Sequence, residues 1–469
     1  MRPADLARVL ARLHGGTSGT EEKPGLLSWL RGVVRRLQSA HWGLPQGVDA
    51  QDPAQAGWAV VFHESEPAAV RDALAPLVAH RERTLGHGKV KVLEYRSGEE
   101  WRSWLARHHA EPGSVLPHRV PYYVLLAGGP ERIPFDFQSL LSVEYAAGRL
   151  SFDSPDEYRQ YADSVIEYET GAKAPNGREA VFFGTRHDQD PATEMSADDL
   201  VRPLAEGIPA DGDEPAQPEV AAQRGFATRT LLAADATRAN LAEVFSPPAG
   251  TPPPALLFSA THGLGLPNGH PEQRAKQGAL VCQDSLRPGG AVQGFSGDDL
   301  AADARVHGMV CFHFACFGAG TPERDDFLHE PGKPPPALAP GPFVARLPQR
   351  LLAHPGGGAL AVLGHVERAW SYSIQGASGR AQLLPFQNTL GAILEGWPVG
   401  HAVRDFRQRF AMLSAALGDL LERAGYGLPI PEGELETLWV ERNDARNYAV
   451  LGDPAARLRV DALAREVPA

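Results

Sequence analysis

The chain has 469 residues, 43% of them apolar and 22% charged, so it can bury a large core and is not a disordered polymer. That length allows two or three domains, or one large two-lobed α/β unit. A net charge of −12 with a pI near 5.8 argues against a nucleic-acid-binding surface.

Three cysteines, Cys282, Cys311 and Cys316, cannot build a disulfide framework, which points to a reducing compartment. The first residues, Met1-Arg-Pro-Ala-Asp-Leu-Ala-Arg8, lack the apolar stretch and cleavage site of a secretory signal. No apolar run reaches the roughly 18 residues that a membrane-spanning helix needs. The expectation is therefore a cytoplasmic protein with no membrane span and no nucleic-acid partner. There is no Walker-type phosphate loop and no G-x-G-x-x-G, so no nucleotide and no other cofactor is expected.

Residues 1–50 read as a helical extension, two helices around a Gly/Thr/Ser/Glu linker at 15–23. In the second, over 24–40, Leu27, Leu30, Val34 and Leu37 recur at helical spacing opposite Arg31, Arg35 and Arg36. Such a helix can lie on a membrane surface, but packing on the body of the protein is the simpler reading. Residues 51–172 predict a first, non-catalytic α/β subdomain. It has strands over 58–62, 90–95 and 122–127, and helices over 66–83, 99–109 and 151–170. The alternation implies a parallel sheet covered on both faces. A Gly/Pro-rich break at 171–177 sets the boundary.

Residues 173–469 repeat the rhythm as a second, catalytic subdomain. Strands are predicted over 180–184 and 228–233, with helices over 197–206 and 237–245. The acidic stretch 211–215 reads as a solvated loop. A Pro-rich bridge over 246–254 delivers Ala255-Leu-Leu-Phe-Ser-Ala-Thr-His262-Gly263, and later comes Met309-Val-Cys-Phe-His-Phe-Ala-Cys316-Phe-Gly318. Each is a buried-strand pattern ending in a reactive side chain beside small residues. Open α/β sheets place ligands at such carboxyl ends. A cysteine with a histidine about 50 residues upstream is a recognised nucleophile–base arrangement. Cys311 and Cys282 read as buried structural cysteines. Residues 321–342 are too rich in Pro and charge for a core element and predict a long exposed loop. Further on come helices over 344–354, 385–395 and 399–424, a strand over 358–364, and a last strand from Tyr448.

His-Gly after one strand and Ala-Cys after a later one resemble the caspase-like (clan CD) cysteine peptidases. Further stretches are similar to the gingipain-type branch, family C25. They are Tyr122-Tyr-Val-Leu-Leu-Ala-Gly-Gly-Pro-Glu-Arg-Ile-Pro134, Gly148-Arg-Leu150, Ile166-Glu-Tyr-Glu169, Ala359-Leu-Ala-Val-Leu-Gly-His-Val-Glu-Arg-Ala-Trp370 and Tyr448-Ala-Val-Leu-Gly-Asp-Pro454. They occur in the family's order from about residue 120 to residue 460.

The resemblance implies two tandem αβα lobes with mainly parallel sheets and a catalytic dyad in the second. Cys316 would be the nucleophile and His262 the proton donor to the leaving amine, with the N–H groups of Gly263 and Cys316 as the oxyanion hole. The family's glutamate that orients the histidine has no counterpart in 181–188, where Asp188 is the possible substitute. The family's acidic S1 residue falls on Asp198 or Asp199. A carboxylate there would select Arg or Lys through charge-assisted hydrogen bonds. Ser196 followed by two acids also reads as a helix N-terminus. Trp370 would wall the pocket, or be a core aromatic. The partner implied is a protein or peptide substrate, with an activating partner or self-processing at Arg274, Lys276, Arg324 or Lys333. Two other readings stay open: a catalytically silent interaction module, and a zinc protein using Cys282, Cys311, His313 and Cys316.

Overall fold

The computed structural model describes residues 43–210, 216–285, 292–327, 332–376 and 381–464. The helices expected before residue 43 and the acidic stretch 211–215 lie outside these. Strands β1 (Trp58–His63), β2 (Val90–Tyr95), β3 (Tyr123–Ala127) and β4 (Ala146–Leu150) come first, then β5 (Gly177–Gly184), β6 (Ala227–Leu232) and β7 (Pro254–Ala260). Two short strands, β8 (His262–Gly263) and β9 (Leu280–Val281), precede β10 (Val310–Phe314). After them come β11 (Gly320–Thr321), β12 (Phe343–Val344), β13 (Ala361–His365) and β14 (Tyr448–Gly452).

Ten of these strands form one sheet in the order β2-β1-β3-β4-β14-β13-β10-β7-β5-β6. All its neighbouring pairs are parallel except β13 with β14. The fold is thus α/β with a mainly parallel sheet, as the alternating pattern predicts. Side chains alternate cleanly between faces. Phe182, Phe258 and Phe312 enter one apolar cluster, while Phe183, Leu257 and Cys311 enter another. The long interior runs of Val, Leu and Phe follow from burial on both sides.

The first four strands and the last six lie side by side in the sheet, joined where Arg149 of β4 registers with Leu451 of β14. β4 is not apparent in the sequence: Ala-Ala-Gly-Arg-Leu carries no β-branched residue, and its arginine looks solvated. Arg149 is in fact wholly buried and donates to Gln138 Oε1 (2.8 Å), Gly128 O (2.9 Å) and Ile133 O (2.7 Å). Burial pulls its guanidinium down to about 10, the usual result when carbonyl oxygens stand in for a carboxylate.

A second buried arginine ties the two halves together. Arg81, on helix Ala68–Leu85, pairs with Glu169 (2.7 Å) at the end of helix Pro155–Thr170, and with Asp453 (2.8 Å) just past β14. Asp453 also accepts from Trp58 Nε1 (2.9 Å) and the Ala455 N–H (2.9 Å). Helix Pro155–Thr170 begins with a capping box between Ser154 and Glu157, which fixes where this connecting helix starts.

The C-terminal helices differ from expectation. The run over 399–424 breaks at Val403 into Val399–Ala402 and Arg404–Gly425. A further helix, Glu434–Arg446, was not expected, because its polar sequence gives little periodic apolar signal. Among the described residues no helix is long and apolar enough to cross a membrane.

Candidate active site

Three adjacent parallel strands deliver the candidate residues. β7 and β10 are in register with Ala260 opposite Phe314, and the Thr261 N–H extends that ladder to Phe314 O (3.2 Å). His262 and Cys316 each follow two positions later, so both leave the sheet at the same height. β5 lies on the other side of β7, with Gly184 opposite Ala260, and the segment after it carries Asp190. Two unrelated stretches thus converge because parallel strands all end on one edge.

Gly263 is pressed against Cys316. A Cβ built on it would lie 1.7 Å from Cys316 O and 2.9 Å from Cys316 N, so only glycine allows this approach. Its N–H is directed at the Cys316 sulfur. The thiol also receives the Ala369 N–H (3.4 Å) and points at Ala369 O (3.7 Å). Burial pushes the Cys316 thiol up; the Ala369 N–H, the Arg368 charge and the Gly263 N–H offset this only in part. The resting sulfur is therefore held mainly as the thiol at neutral pH.

The backbone around it is bent. Phe317 (φ 58°) and Glu367 (φ 73°) both occupy left-handed conformations, and the Phe317 N–H donates to Glu367 O (2.5 Å). Each such residue costs on the order of 1–3 kcal/mol, and the surrounding structure must hold it there. The Glu367 carboxyl helps. It is fully buried and accepts the Asp326 N–H (2.9 Å) and Arg368 Nε (3.1 Å), fastening the start of the loop after Cys316. Burial and the neighbouring Asp326 push it up to about 8.

The carboxylate on the histidine is Asp190 and not the expected Asp188. Asp190 Oδ2 lies 2.6 Å from His262 Nε2, while its Oδ1 caps helix Pro191–Met195 by accepting the Ala192 N–H (3.2 Å). Asp188 is 97% exposed and faces Arg186 at 3.7 Å. Gln189 has a left-handed φ of 64°, which turns the chain between the two acids. Asp190 followed by Pro191 is an N-cap signal that the sequence does contain. Burial opposes ionisation of Asp190, but the bond to His262 and the Thr193 contacts outweigh it and hold the carboxyl below its usual value. With Nε2–H donated to Asp190, Nδ1 is the imidazole nitrogen free for substrate. Asp190→Ala is expected to lower kcat by about 10²–10⁴-fold, the scale of losing general acid–base assistance, with Asp188→Ala near wild type. Peptide kinetics on both variants checks this.

The helix expected over 197–206 starts six residues earlier, at Pro191, and 196–201 form a π-type turn within it. Such turns leave backbone irregular and recur at functional sites. Asp198 is neutralised by Arg186 (3.0 Å) and Arg202 (3.6 Å). Asp199 instead accepts Gln375 Nε2 (2.9 Å), from the segment that follows Trp370. Trp370 is not a core aromatic: it is 36% exposed and leans on Phe327 (5.5 Å) and the Arg368 guanidinium (5.7 Å).

The cysteines and histidine of the zinc alternative are dispersed. Cys311 is buried on β10, where burial pushes its thiol up to about 12. His313 bonds Ser259 through Nδ1 (2.7 Å), and Cys282 contacts Leu280 O. Among the described residues no group of three or more His, Cys, Asp or Glu is placed to hold a metal ion. Of the possible processing sites, Lys276 pairs with Glu272, Arg274 lies over the Phe343 ring (5.5 Å), and Arg324 donates to Pro335 O (3.1 Å).

No protein-family model matches the sequence, and no curated protein matches it. Among solved structures, one titled "Structure of Protease" is similar over 86% of this chain and 78% of its own, at 11% identity and a TM-score of 0.43. The complex of Porphyromonas gingivalis RgpB pro- and mature domains is similar over 86% of this chain and 80% of its own, at 13% identity and a TM-score of 0.43.

Proposed function

We propose that the chain is a thiol endopeptidase using Cys316 and His262, with Asp190 holding the imidazole and basic residues preferred at P1. The observation that carries this reading is the close seating of Gly263 on Cys316, with the Asp190–His262 pair beside it. A scissile carbonyl placed at Cys316 would meet the N–H groups of Gly263 and Cys316, preorganised to take negative charge on its oxygen. The sulfur attacks the carbonyl carbon as its proton is lost to His262 Nδ1. The C–N bond then breaks as that proton passes to the leaving amine, and a thioester remains. Water activated by the same imidazole hydrolyses the thioester and returns the thiol.

The specificity assignment narrows to Asp199, since Asp198 is already paired with two arginines. Asp199 and Trp370 are linked through the 370–375 segment, which gives a carboxylate and an aromatic wall for a basic side chain. A regulated role inside the cell, acting on a partner protein in signalling or defence, fits such an enzyme by analogy.

The test is cleavage of a peptide library varied at P1, by wild type and Cys316→Ala, with and without chelator. The expected result is cleavage after Arg or Lys that survives chelation, disappears in the variant, and accelerates as pH rises, because burial pushes the Cys316 thiol up. Cleavage after Asp or Asn keeps the peptidase and removes the Asp199 assignment. No cleavage by wild type, with the chain intact or processed at Arg324, favours the interaction module.

A further inference from the structure

We propose that Asp444, on helix Glu434–Arg446, is a positioning residue that locks the Ala369–Trp370 peptide plane against the Cys316 sulfur; this rests on the peptidase reading above. The carboxylate is fully buried. Its Oδ1 accepts the Trp370 N–H (2.9 Å) and lies 3.2 Å from His365 Nε2. Its Oδ2 accepts the Ser373 hydroxyl (2.5 Å), and Arg409 Nη1 approaches to 3.7 Å. Arg409 also holds Ser373 Oγ (3.2 Å) and Tyr372 O (2.7 Å).

The Trp370 N–H and the Ala369 carbonyl belong to one planar peptide group, so fixing one end fixes the other. That carbonyl is the acceptor facing the Cys316 thiol at 3.7 Å. One buried carboxylate therefore sets three things: the acceptor for the resting thiol, the exit of the Trp370 side chain, and the path toward Gln375 and Asp199. Its negative charge also favours the protonated sulfur. A helix remote in sequence from both catalytic candidates thereby holds the nucleophile in reserve until substrate arrives.

Two effects should move in opposite directions when this hold is lost. In Asp444→Ala, the thiol loses its fixed acceptor and a nearby negative charge, so it ionises more readily. Turnover falls, because the wall and the sulfur are no longer aligned with the oxyanion donors, and misplacement by about 1 Å can cost about 10²-fold. Asp444→Asn keeps an acceptor for the Trp370 N–H and serves as the conservative rescue.

The experiment is iodoacetamide labelling of each cysteine, followed by mass spectrometry, alongside kcat and KM on an arginyl peptide. Asp444→Ala is expected to label about 5–10-fold faster at Cys316, with Cys282 and Cys311 still protected. Its kcat is expected to drop about 10–100-fold with KM changed less, and Asp444→Asn to return both readouts to within about 3-fold of wild type. Unchanged labelling at Cys316 overturns the proposal, and so does equal exposure of all three cysteines, which would mean general loosening. Should Asp444→Ala fail to fold, Ser373→Ala removes one arm of the same carboxylate without stranding a charge. That variant must then raise Cys316 labelling about 2–3-fold, and a wild-type rate overturns the idea. Because labelling needs no turnover, a wild type that cleaves nothing refutes the peptidase reading while the labelling still decides Asp444.

Discussion

Replacing Gly263 by alanine is expected to remove peptidase activity by about 10³-fold or more while the chain still folds. Each oxyanion donor is worth about 10²–10³ in rate, and this substitution displaces one of them together with the His262 imidazole. The added methyl would sit 1.7 Å from Cys316 O and 2.7 Å from Cys316 C, both main-chain atoms, so no rotamer can relieve the clash. β8 would have to move away from Cys316, carrying the Gly263 N–H and the His262 ring with it. β8 is a two-residue strand outside the ten-stranded sheet, so the displacement is local and the core is spared. Kinetics at saturating substrate, with circular dichroism to confirm the fold, makes the measurement. An active Gly263→Ala enzyme would remove the proposed oxyanion hole.

The largest stability effect is expected at Arg81. Its guanidinium is buried between Glu169 and Asp453, the latter with a wholly buried side chain. Arg81→Met leaves the volume largely filled but strands two carboxylates, and breaking a buried pair in this way costs about 3–5 kcal/mol. Glu169 keeps His80 (2.7 Å), and Asp453 keeps Trp58 and Ala455, so the loss stays toward the lower end. Burial opposes ionisation of Glu169, yet Arg81 and His80 bring it down to about 2. A carboxyl lowered on folding adds stability above its unfolded value of about 4.3, and that stability is lost as pH falls toward about 2. In Arg81→Met the Glu169 carboxyl loses its main lowering charge while burial still opposes its ionisation. The variant's deficit should therefore be greatest near neutral pH and shrink as pH falls to about 4–5. Urea unfolding of both proteins at two pH values measures it. A deficit that does not depend on pH would mean that the network acts through packing alone.

The sequence is most legible where the protein is most apolar. β1, β2, β3, β5, β7 and β10 each lie within one to three residues of their expected positions. Doubly buried strands must be apolar, and Gly or Pro marks many of their ends. β4 was missed for the opposite reason: its arginine is solvated by main-chain oxygens, which come from residues 128–134 and cannot be read from the strand itself. The placement of His262 and Cys316 just past the ends of neighbouring strands was legible through strand-end patterns. The choice between Asp188 and Asp190 was not, because it turns on one left-handed residue, Gln189. Ser196 misled as a helix start because two acids follow it. The helix start is Asp190–Pro191, and within the π-type turn at 196–201 the two acids take different partners, Arg186 and Arg202 for Asp198 and Gln375 for Asp199. Asp444 carried no local signal, since its partners are 35 to 79 residues away in the chain.

The position of β14 has a consequence for synthesis. Residues 448–452 fill the centre of the sheet, between β4 and β13, yet they leave the ribosome long after both neighbours. Until then a growing chain presents two open strand edges, which invite pairing with other chains. Helix Glu434–Arg446, with Asp444, emerges only just before β14. A nascent chain therefore carries Cys316 and His262 well before it carries the helix that binds the Ala369–Trp370 segment and the strand that joins the halves. Closure of the sheet, and with it the final seating of the loop that follows Cys316, therefore waits for the last strand.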